Sequence, residues 1–211
     1  MRQTIKDTAS RRTFLKTAAL VAAGTALPAK VFAQASPVST RDRAILTVAK
    51  REVDRAGNAL WRKDIAGIAD YGVPSSVPRF HFANLENGTV RSFLVTHGKG
   101  SDPAHTGYLE SFSNVPGSLA TSRGAYITWE WYVGRYGTSI RLGGLEPDNS
   151  NALNRAIVMH SAGYASPEHV AKWGKLGRSD GCFAMSPTDF NEALWHLSGG
   201  RLLYADRLGL V

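Results

Sequence analysis

The 211-residue chain has a single cysteine, Cys182. It therefore cannot form an internal disulfide. In an exported protein an unpaired thiol is either a buried apolar filler or a reactive group. Long apolar runs are missing too. The mild, alanine-rich stretch Thr17 to Leu27 is too short to stay in a bilayer, and no later segment is long and apolar enough for a membrane helix. The spacings C-x-x-C, H-x-x-x-H and H-x-E do not occur, which argues against a zinc site, and no cofactor motif is present. Neither an internal repeat nor a low-complexity tract occurs.

A basic stripe is also lacking once the N-terminal segment is set aside. The chain has 25 Lys and Arg against 17 Asp and Glu, a net charge of +8. Residues 1–35 hold six of those basic residues and one acid, leaving 19 against 16 and a net +3. No nucleic-acid footprint remains, whereas a modest positive charge suits work beside an anionic polymer. Residues 1–35 read as a signal peptide: Ser10-Arg11-Arg12-Thr13-Phe14-Leu15-Lys16, then the apolar stretch, then Ala33-Gln34-Ala35 as a small-x-small cleavage pattern. The paired arginines indicate the twin-arginine route, a periplasmic location, and no stable membrane insertion after cleavage.

The remaining 176 residues are enough for one domain with a proper core. The reading is an N-terminal helical segment over 36–63 and a catalytic domain over 64–211. Ile45, Ala49, Val53 and Ala56 predict a helix over 41–56, capped by Thr40 and ended at Gly57-Asn58. Strands are predicted over 65–71 and 79–84. Asn87-Gly88 then turns the chain into a strand over 90–96. Residues 111–126, dense in glycine and serine, read as loops joining short strands. Further strands are predicted over 139–142, 155–159 and 202–205, with short helices over 167–173 and from Pro187 to Leu197, the latter capped by Ser186. The class is mainly β, with a few short peripheral helices and the N-terminal helix.

The chemistry centres on Gly177-Arg178-Ser179-Asp180-Gly181-Cys182-Phe183-Ala184-Met185. Arg178 supplies a positive field, which favours the thiolate. Small residues around Gly181 leave main-chain N–H groups free for an oxyanion. Of six histidines, His97 and His160 each end an apolar strand and open onto a small-residue loop, where catalytic groups are favoured. His160 lies 22 residues before Cys182, across a loop and a short helix, so the chain can return and set the two side by side. His81, His105, His169 and His196 read as packing, loop, surface and helix-end residues.

His160-Ser161-Ala162-Gly163 followed by Gly-Arg-Ser-Asp-Gly-Cys-Phe-Ala-Met resembles the signature of the L,D-transpeptidases, the YkuD-type murein cross-linking enzymes. The resemblance extends through Thr96-His97-Gly98-Lys99-Gly100-Ser101, Phe112 to Ser118, Thr121 to Gly124 and Gly143 to Glu146. It implies an L,D-transpeptidase-like β-sandwich or barrel. Cys182 would be the acylated nucleophile, His160 its base, Ser161 the residue whose carbonyl orients that base, and Ser179 and Gly181 the pair preceding the cysteine. Arg178, Ser179, Asp180 and His97 would face the substrate, with Arg178 on its carboxylate. Asp180 stands where the family usually has histidine, and Ala184 where it often has arginine or asparagine. The partners implied are peptidoglycan stem peptides, with no metal or cofactor. Cross-linking, trimming by water and anchoring of an envelope protein all remain open, as does a non-catalytic wall-binding domain. A papain- or NlpC-like peptidase would place cysteine before histidine, and the Thr-x-Thr-Cys of a sortase is absent.

Overall fold

Residues 38–210 are described by the computed structural model. The first helix, α1, spans Thr40–Ala56. Its cap is Ser39 rather than Thr40: the Ser39 hydroxyl accepts from the Asp42 amide at 3.0 Å, and Thr40 is already helical. Gly57 ends the helix with φ 56, a conformation that glycine adopts without a Cβ penalty. The face carrying Ile45, Val48, Ala49 and Val53 is buried.

Eight strands follow, in one sheet. They are β1 (Ile65–Asp70), β2 (Phe80–Asn84), β3 (Thr89–Phe93), β4 (Gly124–Gly134), β5 (Gly137–Gly144), β6 (Val158–Ser161), β7 (Phe183–Met185) and β8 (Leu202–Asp206). Helix α2 (Pro167–Trp173) lies between β6 and β7, and α3 (Pro187–Leu197) between β7 and β8. The strand order is β3-β2-β1-β8-β4-β5-β6-β7. Neighbours are antiparallel except β1 with β8 and β6 with β7.

The predicted hairpin at Asn87-Gly88 is present, pairing Asn84 with Thr89, although β3 stops at Phe93. Two strands differ from the sequence reading. The long β4 begins at Gly124, inside a stretch that reads as loop; its first residues are nonetheless core, with Tyr126 fully buried. Composition misleads there because Ser122 is buried as a partner of the Tyr126 hydroxyl, at 2.7 Å, and not exposed in a turn. The three residues of β7 are too few to show a period.

The sheet curls until its edges meet. Beyond β3 the chain crosses to the β7 side, where Thr96 N donates to Ala184 O (3.0 Å) and Lys99 N to Ser179 O (2.8 Å), while Ser179 N donates to His97 O (3.0 Å). This closure satisfies edge groups that would otherwise be free to pair with another chain. One face of the sheet packs on α1 through Ile68, Ala83, Ile127 and Leu202. The other packs on α3 through Phe80, Met159, Phe183 and Leu203. At Gly67 a Cβ would come within 2.8 Å of Leu197 Cδ1 and 2.9 Å of Phe80 Cζ, so α3 approaches β1 this closely only over a glycine. Among the described residues no helix is long and apolar enough to cross a membrane.

A buried polar chain sits behind the closure. Arg79, fully buried, donates from Nε to Val95 O and from Nη1 to Val73 O, each at 3.0 Å, and its Nη2 meets His97 Nδ1 at 2.9 Å. His97 Nε2 meets Asp102 Oδ2 at 3.1 Å. Arginine can only donate, so His97 is neutral with its proton on Nε2, bridging a cation and an anion. Burial first, then the Arg79 charge, push its pKa down to about 4; burial and then Arg41 do the same at His81. Such histidines take up protons more readily when unfolded. Their contribution to stability is complete above pH 6.5 and is lost as pH falls towards 4. Thermal melts are expected to show Tm falling steadily from pH 6.5 to 4.5, and a Tm that stays level across that range contradicts this account.

Candidate active site

β6 and β7 run parallel, with Met159 opposite Phe183 and His160 opposite Ala184. Alternation along a strand sends Met159, Phe183 and Met185 into the core. The same alternation puts His160 and Ala184 on the other face, and Cys182, one residue ahead of β7, falls on that face too. By this register His160 and Cys182 stand diagonally across the β6–β7 pair. The sequence-predicted return of the chain is made through α2, which Ser166 caps.

The turn before Cys182 is held from within. Ser179 Oγ donates to Cys182 O at 2.7 Å and accepts from the Gly181 amide at 3.2 Å. Gly181 has φ 113, and a Cβ there would lie 2.7 Å from Ala120 O and 2.9 Å from Ile157 Cδ1. Conformation and space both demand glycine. The Gly181 amide, expected to be free for an oxyanion, is occupied by Ser179.

His160 Nδ1 lies 3.0 Å from Ser161 O, so Nδ1 carries the proton and the Nε2 lone pair is available as a base. Burial lowers the His160 pKa below its ordinary 6.5. Tyr136, at the tip of the β4–β5 hairpin, stacks on the imidazole with ring centroids 4.7 Å apart and 20° between planes.

Cys182 is 6% exposed. Its Sγ points to the Ala156 carbonyl at 3.7 Å, a weak thiol hydrogen bond. The residue also forms part of the wall of a pocket of about 360 Å³, with Pro116, Leu119, Tyr136, Arg155 and Ala156. Burial is the main cause of a thiol pKa above the ordinary 9.0; a main-chain contact from Val158 and the Arg155 charge oppose it, and Asp180 adds to it. At rest, then, the pair is neutral thiol and neutral imidazole. An attack by such a thiol would need its proton removed at the same time, and a neutral imidazole is a base suited to that.

Other predicted site residues fall elsewhere. His97 is 1% exposed with both ring nitrogens engaged, so it supports the Ser179 strip from below and offers no atom to a ligand. Arg178 gives its Nη1 to the carbonyls of Asp102 and Pro103, and the guanidinium acting on the thiol is that of Arg155. Asp180 is half exposed at the pocket rim, paired with Lys99 Nζ at 3.0 Å. Sequence reasoning does not single out Tyr136 or Arg155, the first because β4, which leads into its turn, begins in a stretch that reads as loop. The Gly134-Arg135-Tyr136-Gly137 turn was the available signal. Among the described residues no cluster of three or more His, Cys, Asp or Glu is arranged to hold a metal ion.

A family model described as L,D-transpeptidase catalytic domain matches residues 39–205. A second, for the twin-arginine translocation pathway signal sequence, matches residues 8–28, outside the described residues. No curated protein matches the sequence. Among solved structures the chain is similar to an L,D-transpeptidase from Mycobacterium smegmatis, at 16% identity and TM-score 0.42, covering 68% of this chain and 58% of that one. It is also similar to an L,D-transpeptidase from Stackebrandtia nassauensis, at 14% identity and TM-score 0.41, covering 78% of this chain and 68% of that one. The chain thus spans less than two thirds of the Mycobacterium smegmatis structure.

Because Cys182 is the sole cysteine, its titration can be read cleanly. Alkylation by iodoacetamide, followed by mass, is expected to be slow at pH 7 and to climb about tenfold per pH unit towards pH 9. A rate already level below pH 7 means a preformed thiolate and contradicts the neutral resting pair.

Proposed function

Since the chain belongs to the L,D-transpeptidase catalytic domain family, and carries a twin-arginine signal directing export to the periplasm, we propose that it is a murein L,D-transpeptidase whose nucleophile is Cys182. The observation that carries this reading is the β6–β7 register, which sets His160 diagonal to a thiol on the wall of a pocket.

Cys182 attacks the carbonyl at the L-centre of diaminopimelate in a tetrapeptide stem while His160 Nε2 takes the thiol proton. The tetrahedral intermediate collapses to a thioester, and His160 returns the proton to the departing D-alanine amine. An amine from a second stem then attacks the thioester, giving up its proton to His160 and releasing the thiol as the 3-3 cross-link forms. The fixed Nδ1–H to Ser161 contact keeps Nε2 aimed at the reaction throughout. No metal or cofactor is needed for these steps, in which every proton moves between the thiol, the imidazole and an amine.

Purified tetrapeptide muropeptides, with product masses as readout, test the reading. A cross-linked dimer with released D-alanine is expected. Tripeptide monomer alone assigns the protein as an L,D-carboxypeptidase, and unchanged substrate with folded enzyme overturns catalysis. Cys182→Ala should abolish turnover, and His160→Ala should lower kcat by about 10²–10⁴-fold.

The pH dependence follows from the two burial effects. The active free enzyme needs neutral His160, whose pKa is below 6.5, and protonated Cys182, whose pKa is above 9.0. kcat/KM should therefore be level between about pH 6.5 and 9, falling on the acid side as His160 protonates and on the alkaline side as the thiol ionises. A sharp bell centred in that interval excludes the neutral-pair mechanism.

A further inference from the structure

Arg155 carries a positive charge that no carboxylate among the described residues neutralises. It is half-buried on the wall of the Cys182 pocket. Its Nη1 donates to Ser113 O at 2.7 Å, and its Nη2 donates to Ser118 Oγ at 3.3 Å and to Ala120 O. All three acceptors are neutral. They fix the plane of the guanidinium without balancing it, and among the described residues no carboxylate lies within ion-pair distance. A guanidinium has five donors, so the Nε–H and one Nη1–H remain without a protein partner.

A partly desolvated charge without a counter-ion is costly. Its persistence beside a nucleophile points to an anion that arrives from outside. The resting thiol does not supply that anion, because burial keeps it protonated. Asp180, on the same pocket, is offset by Lys99. His160 and Tyr136 present neutral rings. The guanidinium itself abuts the residue before the nucleophile: the Cβ position of Gly181 is 3.2 Å from Arg155 Nη2.

We propose that Arg155 makes this pocket a carboxylate subsite, receiving the terminal carboxylate of the acyl-donor peptide so that its last residue lies against Cys182. One free guanidinium N–H is enough to bond a carboxylate oxygen, and such a charge-assisted contact is about twice as strong as a neutral one. The pocket, at about 360 Å³, has room for the leaving amino acid. The peptide identity rests on the transpeptidase reading; the anion subsite does not. This role replaces the one expected for Arg178, whose Nη1 is held by main-chain carbonyls.

The test uses alkylation of Cys182 in the whole protein and needs no turnover. Rates with iodoacetate and iodoacetamide are compared in wild type, Arg155→Gln and Arg155→Lys, each checked by thermal melting. The iodoacetate-to-iodoacetamide ratio should fall roughly tenfold in Arg155→Gln, the loss of one charge-assisted contact, and stay within about threefold in Arg155→Lys. An unchanged ratio in Arg155→Gln, or an equal loss in both variants, overturns the proposal. A second measurement keeps the question open to decision if Arg155→Gln does not fold. In wild type, N-acetyl-D-alanine should slow iodoacetamide alkylation and its C-terminal amide should not; equal protection by both, or by neither, overturns the subsite. Anion selectivity without muropeptide turnover removes the transpeptidase reading and leaves the subsite standing.

Discussion

The parallel pairing of β6 with β7 is the constraint on which the site depends. A parallel pair cannot be joined by a tight turn, so the chain must travel through α2 before it returns. That detour brings in the segment carrying Ser179, Gly181 and Cys182. A slip of one residue in the register would turn Cys182 into the core and bring Phe183 out beside His160. The register is secured from both sides of β7. Met159, Phe183 and Met185 fill the core, while the strip His97 to Lys99 hydrogen-bonds Ser179 and so fixes the turn leading in. That strip in turn lies over Arg79, His97 and Asp102. A fully buried cation and a fully buried anion are bridged there by one neutral imidazole. Removing any member would strand a buried charge, a penalty of about 3–5 kcal/mol. The polar chain therefore holds a piece of backbone, and the backbone holds Cys182.

Electrostatics at the thiol run against the simplest picture of a cysteine enzyme. Burial disfavours both members of a thiolate–imidazolium pair, raising Cys182 and lowering His160. A protein that is exported and has no second cysteine gains from this. A neutral buried thiol resists oxidation, since the reactive form is the thiolate. Under the proposed mechanism attack and proton transfer must then be coupled, which requires an imidazole with one fixed tautomer. The Ser161 carbonyl sets that tautomer, and the stacked ring of Tyr136 limits how far the imidazole can swing.

Caps and turns were legible in the sequence because their signals are local. Ser186-Pro187 starts α3 and Asn87-Gly88 joins β2 to β3, each where local chemistry dictates, while the cap of α1 falls on Ser39, one residue before the expected Thr40. The proposed roles of Cys182 and His160 rest on residue type, spacing and family likeness, and the family itself was legible from the motifs around them. What could not be read is whatever depends on long-range partners. His97 looks like His160 in sequence, each ending a strand before small residues. Only the fold reveals that Arg79 and Asp102 enclose one of them. Arg155 reads as the first residue of a strand, yet it precedes β6 and reaches loop carbonyls some 35 to 42 residues away. Arg178 is adjacent to the cysteine motif and so attracted the anion-binding role, but adjacency in the chain is not proximity of charge. β4 was hidden by serine and glycine whose polar groups are satisfied in the interior.

Backbone strain around the pocket has a bearing on how the site stays open. Among the described residues three that are not glycine have positive φ: His105, Leu119 and Ala156. Two of the three, Leu119 and Ala156, line the Cys182 pocket. Left-handed backbone costs an ordinary residue about 1–2 kcal/mol, so it persists only where surrounding contacts over-determine it. At Ala156 the contact is the carbonyl that meets the thiol. At Leu119 it is the carbonyl that accepts from the Gly100 amide at 3.0 Å and packs so tightly on Gly98 that a Cβ there would clash. Like Gly181, these two residues adopt a positive φ around Cys182. The energy comes from the closed sheet around them, whose core is large enough to hold such positions fixed before any substrate arrives.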